Sequence, residues 1–302
     1  MGIKGLSQFI KKKSNINKFN FDDFKDQKIA IDASIVMYSQ MAICRKYICN
    51  QTDFIISDLN FNEILNFWKI KMLDFLKIFI NANIHPILVF DGIACKEKDK
   101  THKEREKQRN LRLKELEELN IELSERRKDI FQDHSHFLEK YNKKIASCVT
   151  VPKKIQNELI DYLTNLDIEC MKSKTEAEKL CTSLCIENKV KAVYSADTDN
   201  LAMGCPLLLN SFKIEPNGNH VFLGYELNQI LKDLDLNFDK FQDYCILCGC
   251  DFNKNIKGYG PVKCYKEIKK SENIDKLIIN ECLNYEFCKK IFSYENSENL
   301  IE

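Results

Sequence analysis

The chain has 302 residues, enough to bury the core of one large domain or two small ones. Lys and Arg number 46 against 45 Asp and Glu, leaving a net charge of +1, so any affinity for nucleic acid has to come from local patches. Fourteen scattered cysteines without a secretory signal imply reduced thiols and an intracellular protein. No apolar run reaches the length of a membrane span, and Leu6 stands where a myristoylation signal needs Ser or Thr.

Residues 28–32 (KIAID) read as a first strand, followed by a helix running through Tyr38 and Arg45. A helical run over 62–81 leads into a second strand at 85–91, closed by Gly92. From 96 to 144 the composition turns heavily charged, with Leu111, Leu113, Leu116 and Leu119 as the main apolar residues before a second helical pattern over 121–141. A break near Asn120 predicts a helical hairpin there, opened by the cationic Lys98, Lys100, Lys103, Arg105, Lys107 and Arg109. A short strand is predicted at 167–171, a helix start at 173–178 and a buried strand over 190–197. Pro216-Asn217-Gly218-Asn219 marks the turn of a hairpin within 211–223, and helices follow over 225–233 and 239–249. Asp251 then lies in a loop, and Gly258-Tyr259-Gly260-Pro261 leads into another helix whose exposed amides suit a phosphate, with Lys263, Lys266, Lys269 and Lys270 adding positive charge. Cys245, Cys248, Cys250 and Cys264 lack the paired spacing of a structural zinc site, so buried packing is expected of them. Strands alternating with helices imply an α/β fold with a mostly parallel sheet.

Each strong strand ends in an aspartate: Asp32, Asp91 and Asp197. Ligands of open α/β sheets bind beyond the carboxyl ends of strands. A single aspartate there also serves as a helix N-cap, and Asp32 before Ala-Ser fits that role. Asp197 and Asp199, two apart on an extended chain, would aim at one point and need a proton, a cationic partner or a metal between them. Glu176 and Glu178 sit at a helix start, where Ser173 with Glu176 and Thr175 with Glu178 both fit a capping box. On an ideal helix those two glutamates point apart unless Glu176 is still in the loop. A capped helix followed by an acidic turn accounts for these pairs taken alone; three strand-end aspartates beside two such glutamates exceed what capping needs.

Together the segments MGIKGL, IAIDASIVMY, PILVFDG with a basic helix behind it, TEAEKLC, ADTDNLAMG and LCGCDFNKNIKGYGPVK resemble the flap endonuclease family of structure-specific 5′ nucleases, in the family's order and over nearly the whole chain. The resemblance implies an α/β, PIN-like fold: a central, mostly parallel sheet flanked by helices, with a helical arch and a helix–two-turn–helix DNA-binding element. It divides the chain into an N-terminal nuclease region (1–95), an arch hairpin (96–149) and an internal nuclease region (150–302) with the helix–two-turn–helix near 244–272, one compact nuclease domain in all. It makes Asp32, Asp91, Glu176, Glu178, Asp197, Asp199 and Asp251 the metal-binding, catalytic carboxylates. Lys98 and Arg105 become the catalytic cations on the scissile phosphate, Tyr38 an aromatic that stacks on a base, and Arg45 a duplex contact. Gly2, Gly258, Gly260 and Lys263 join the DNA-binding set, and Asn255, Ile256 and Tyr259 fall where the family's carbonyls seat K⁺ against DNA. The chain departs from the family in a longer arch, in Lys69, Lys71 and Lys77 where arginines are frequent, and in lacking the tail motif that docks on the sliding clamp, so clamp binding through a tail is not expected.

The resemblance implies a Mg²⁺-dependent 5′ flap endonuclease with 5′–3′ exonuclease activity in DNA replication and repair. Two divalent ions about 4 Å apart can generate a hydroxide and stabilise the leaving oxygen of a phosphodiester. Mg²⁺, with Mn²⁺ as a substitute, prefers the carboxylate oxygens this set offers. The expected partner is DNA with 5′ flaps, nicks or gaps, bound by a monomer away from any membrane, in the nucleus or at a viral replication site. Backbone contacts position a duplex without reading sequence, so specificity for structure and strong salt sensitivity are expected. The alternatives are a 5′–3′ exonuclease, a junction or bubble nuclease or an RNA-cleaving nuclease of the same fold. A non-catalytic nucleic-acid-binding scaffold has no physical reason to keep so much mutual repulsion.

Overall fold

In the computed structural model, which describes residues 2–14, 16–51, 61–93, 98–126, 135–254, 256–270 and 284–302, the apolar runs at 28–32, 85–90 and 192–194 become neighbouring parallel strands. The elements begin with α1 (Leu6–Lys13), β1 (Asn17–Asn20), a 3-10 turn (Phe21–Phe24), β2 (Lys28–Asp32), α2 (Ala33–Gln51), α3 (Phe61–Ile80), β3 (His85–Phe90), α4 (Asp99–Arg126), α5 (Ser135–Ser147) and α6 (Lys153–Thr164). They continue with β4 (Cys170–Lys172), α7 (Ala177–Ile186), β5 (Ala192–Tyr194), α8 (Asp199–Ala202), β6 (Leu207–Ile214), β7 (His220–Glu226), α9 (Leu227–Leu234), α10 (Phe238–Cys248), α11 (Pro261–Lys270), α12 (Tyr285–Phe292) and α13 (Ser297–Leu300). Among the described residues no helix is long and apolar enough to cross a membrane.

The chain divides into two compact units, the first made of 1–33, 79–98 and 167–302. It holds a seven-stranded sheet in the order β1-β7-β6-β5-β2-β3-β4. The pairs from β6 through β5, β2 and β3 to β4 are parallel; β7 pairs antiparallel with β6 and with β1. Side chains alternate between the two faces of a strand. Ala30, Ile87, Val89 and Val193 therefore join α7 and α10 residues such as Leu180, Leu184, Phe241 and Tyr244 in one continuous core. Tyr194 turns the other way, into an aromatic cluster with Phe79, Phe212 and Phe222, where Phe21 stacks on Phe222 at a centroid distance of 4.0 Å. Cys245, Cys248, Cys250 and Cys264 are buried core residues.

The second unit, 34–78 and 99–166, is helical. Trp68 on α3 is fully buried, and its indole N–H donates to the Met37 carbonyl at 3.1 Å. Leu116, Leu119 and Leu123 on α4 pack against Phe137, Tyr141 and Ile145 on α5. The hairpin expectation changes in one respect. The first helix does not break at Asn120 but continues to Arg126, because Leu123 extends the leucine stripe and the Tyr141 hydroxyl donates to the Asn120 side chain, satisfying a residue that otherwise disfavours a helix interior.

Other boundaries also differ from expectation. The strand predicted over 190–197 pairs only over Ala192–Tyr194, since β6 leaves the ladder after Leu209 and the chain turns at Ser195. The strand expected at 167–171 lies at Cys170–Lys172, after a turn that holds Asp167 at φ 57°. The hairpin is formed by β6 and β7, with Gly218 in the left-handed region at its turn. The edge strand β1 and the bridge of Ile301 to Ser173 have no counterpart in the sequence reading.

Candidate functional site

The carboxyl ends of β2, β3 and β5 lie side by side in the first unit, and each delivers acidic residues to the same edge. Asp32 closes β2 at 2% exposure. Just past β5, Ser195 is fully buried; its hydroxyl donates to Asp32 Oδ2 at 3.2 Å and accepts the Asp197 N–H at 3.0 Å. Asp197 Oδ1 accepts the Asp199 N–H at 2.9 Å. The pair is thus not two residues of one extended strand, as alternation predicts. Thr198 is helical and Asp199 opens α8, so a local turn brings the two carboxylates together. Asn200 donates to the Asp197 carbonyl at 2.9 Å and accepts the Thr182 hydroxyl at 3.0 Å, fixing the turn to α7.

The capping boxes predicted for α7 do not form. Glu176 is its N-cap residue, in extended conformation and without a side-chain cap, so it is still in the loop. The cap comes from Asp91 at the end of β3, whose Oδ1 accepts the Ala177 N–H at 2.9 Å. Ser173 instead braces the loop, accepting the Thr175 N–H at 3.2 Å and donating to the Glu176 carbonyl at 3.1 Å. Gly92 holds β3 to this loop by donating to the Thr175 carbonyl at 2.7 Å; a Cβ there would stand 1.9 Å from the Ser173 oxygen. On the far side of the loop, Lys174 donates its N–H to the Leu300 carbonyl at 2.7 Å.

One ammonium enters the acidic cluster. Lys98 Nζ lies 2.8 Å from Glu176 Oε2, 4.0 Å from Asp251 Oδ2 and 4.8 Å from the centroid of the Phe252 ring. Burial alone would lower the Lys98 pKa, but Glu176, Glu178 and Asp199 hold it above the ordinary lysine range. Glu176 remains above the usual carboxylate range even so, because burial, with Asp91 and Asp251 nearby, outweighs its lysine. Burial raises Glu178 well above that range, reinforced by Asp32 and Asp91; the residue keeps some accessible surface, so solvent screens part of the effect. Asp199 is likewise raised well up by burial and then by Asp197. Asp197 is raised by burial against the Asp199 N–H. The cluster carries more negative charge than one lysine offsets.

The donor set fits a hard divalent cation, since every candidate ligand is a carboxylate oxygen. Asp199 Oδ1 is buried with no hydrogen-bond partner among the described residues, which an ion would remedy. Among those residues no three His, Cys, Asp or Glu side chains already close around a common point, and Lys98 supplies the countercharge.

Of the predicted residues, Asp32, Asp91, Glu176, Glu178, Asp197, Asp199, Asp251 and Lys98 all belong to the first unit. Gly2 joins them. With φ at +85°, it approaches so closely that a Cβ would lie 2.2 Å from Asp197 Oδ1, and the next residue, Ile3, donates its N–H to Thr198 Oγ1 at 3.0 Å. Ile256, Gly258, Tyr259, Gly260 and Lys263 form the turn before α11, where Gly258 has φ +82° and the Lys263 ammonium sits 3.7 Å from the Tyr259 ring centroid. The Ile256 carbonyl accepts the Tyr259 N–H at 3.0 Å. Asn255 lies outside the described residues. Arg105, exposed on α4, belongs to the second unit, as do Tyr38, 43% exposed, and the half-buried Arg45 on α2. The sequence reading missed Ser195, Thr198, Asn200 and Gly92. A serine two residues before an aspartate is a recognised local turn pattern and could have flagged Ser195.

The chain is similar to known proteins. The XPG N-terminal domain matches residues 1–112 and the XPG I-region matches residues 167–251. Flap endonuclease 1 of Enterocytozoon bieneusi is 31% identical over 285 residues, covering 92% of this chain and 72% of that protein. Flap endonuclease 1 of Theileria parva is 28% identical over 296 residues; the alignment covers 97% of this chain, which spans 56% of that relative's length. The fold is similar to the catalytic core of Rad2 solved in complex with DNA substrate, at a TM-score of 0.62 and 19% identity, over 91% of this chain and 70% of that one. The mostly parallel sheet, its row of strand-end carboxylates and these matches lead to one conclusion: the chain belongs to the flap endonuclease family.

Proposed function

We propose that this chain is a divalent-metal-dependent, structure-specific 5′ nuclease that hydrolyses DNA at single-strand/duplex junctions, with 5′ flaps as preferred substrates and exonuclease action at nicks and gaps. The observation that carries this reading is the mutual repulsion that links Asp32, Asp91, Glu176, Glu178, Asp197, Asp199 and Asp251 within one unit, with Asp199 Oδ1 buried and lacking a hydrogen-bond partner among the described residues. Mg²⁺ or Mn²⁺, held there, would supply Lewis-acid chemistry for the attack of water on the phosphodiester. Asp197 and Asp199, fixed by their turn, and Asp32, bonded by Ser195, would hold the cation, and Glu176, Glu178, Asp91 and Asp251 would complete the negative field. Lys98 would offset charge as it grows on the phosphoryl oxygens, and the family resemblance carries the same role to Arg105. Tyr38 stacks on a base near the cut, a contact worth about 1–3 kcal/mol. The turn at Gly258–Gly260, with Lys263 beside it, seats the duplex backbone, and the carbonyls of Asn255, Ile256 and Tyr259 would hold K⁺.

Two measurements test this. Asp199→Asn is expected to leave binding of 5′-flap DNA in place while removing cleavage in Mg²⁺; undiminished cleavage rejects the assignment of Asp199. Cleavage of 5′-flap, nicked, bubble and single-stranded RNA substrates at matched salt is expected to rank the flap first. A preference for RNA or for bubbles replaces the substrate proposed here.

A further inference from the structure

We infer that the Ser195 hydroxyl is a positioning residue that sets the Asp32 and Asp197 carboxylates for a divalent cation. The inference rests on the metal reading above and assigns Ser195 no contact with the ion. Ser195 is fully buried at the end of β5, beside the end of β2, and its side chain makes two hydrogen bonds in one direction each: to Asp32 Oδ2 at 3.2 Å and from the Asp197 N–H at 3.0 Å. A hydroxyl has a single proton to give. Donating it to Asp32 fixes which oxygen of that carboxylate is engaged and which rotamer it keeps. Accepting from Asp197 fixes the backbone turn that lets Asp197 Oδ1 receive the Asp199 N–H at 2.9 Å. One buried side chain thus ties the Asp32 carboxylate at the end of β2 to the backbone of Asp197 beyond β5.

The energetics favour this role over plain packing. A buried hydroxyl is costly unless it is bonded, and here both bonds go to acidic residues of the site. Alanine at 195 fills nearly the same space but takes one hydrogen bond from the Asp32 carboxylate and one from the Asp197 N–H. Residues that orient metal ligands typically account for about 10–100-fold in metal affinity.

The test is a calorimetric Mn²⁺ titration of the full chain without nucleic acid, for the parent, Ser195→Ala and Ser195→Thr, with urea unfolding in EDTA as a check on the fold. Ser195→Ala is expected to weaken Mn²⁺ binding about 10–100-fold, and Ser195→Thr, which keeps the hydroxyl, to stay within about threefold of the parent. If Ser195→Ala does not fold, Ser195→Cys, close in size and a weak donor, takes its place with the same expected loss. Parent-like Mn²⁺ affinity in the variant lacking the hydroxyl overturns the inference and leaves the metal reading standing. Equal losses in the alanine and threonine variants, with unfolding midpoints unchanged, also overturn it, because the loss then does not follow the hydroxyl. A parent chain that binds no Mn²⁺ overturns the metal reading and this inference together.

Discussion

Replacing Lys98 by Met removes the only cation that reaches Glu176 in the described contacts while keeping a flexible stem to cover Phe252. At the observed 2.8 Å, the gross attraction between ammonium and carboxylate is about 6 kcal/mol at an effective dielectric constant of about 20. Part of this is returned because the lysine no longer has to be desolvated. What remains is the cost of leaving buried carboxylates unpaired, typically about 3–5 kcal/mol when one partner of such a pair is removed. Lys98→Met is therefore expected to lose about 3–5 kcal/mol in EDTA, read from urea unfolding near pH 7. In saturating Mg²⁺ the gap should narrow to about 1 kcal/mol, since any ligand bound only to the folded chain adds stability by mass action. The variant should thus gain more from Mg²⁺ than the parent does. Equal stability of the two chains in EDTA would refute the reasoning, because it would mean that the ammonium neutralises nothing that matters to the fold.

The raised carboxyls fix the sign of a pH dependence. Asp199 and Glu178 bind protons in the folded state at pH values where the unfolded chain, with carboxyls near about 4, has released them. Stability in EDTA should therefore rise as the pH falls from about 7.5 towards about 5, and be lost as the pH rises through the folded-state values. Glu187 acts in the opposite sense, since hydrogen bonds from Ser297, Lys189 and Tyr294 hold it, against burial, at about 2; its contribution fades only in more acid solution. Melting curves that flatten or fall over the first interval would contradict this. Gly92→Ala places a methyl 1.9 Å from the Ser173 oxygen and should cost about 3 kcal/mol in thermal unfolding, with Mn²⁺ affinity falling as the acidic loop shifts; a neutral substitution would show that this loop is pliable. Leu119→Ala opens the α4–α5 seam and should cost about 3 kcal/mol locally, seen as faster amide exchange over 116–123 and 137–148 with protection of the sheet unchanged.

The parts of the fold that were readable in the sequence are those where one local signal settles the matter. The apolar runs of β2 and β3 end at polar residues, the Pro216–Asn219 turn joins two strands, and Pro261 opens α11. Asp32 and Asp91 were placed for the same reason, because each stands at the end of its strand. What stayed hidden depends on partners distant in sequence. Asp91 caps a helix that begins at Ala177, so local capping boxes pointed to the wrong residues. Asn120 looked like a helix end because its satisfaction by Tyr141 comes from another helix. The Asp197–Asp199 pair was assigned the geometry of a strand, while the chain had already turned at Ser195 under the pull of Asp32. Strand β1, polar and alternately half-buried and exposed, lacks the apolar pattern that marks the others.

The order of strands carries a consequence for synthesis. β2 is made early, yet its two neighbours come from 85–90 and 192–194, and Asp251 follows later still. Contacts so far apart in the chain form slowly and cannot form before the later partner has left the ribosome. A nascent chain halted at 190 has Asp32, Asp91 and Glu178 but no β5 to gather them. The growing polypeptide therefore has no complete acidic site until residue 251 has left the ribosome.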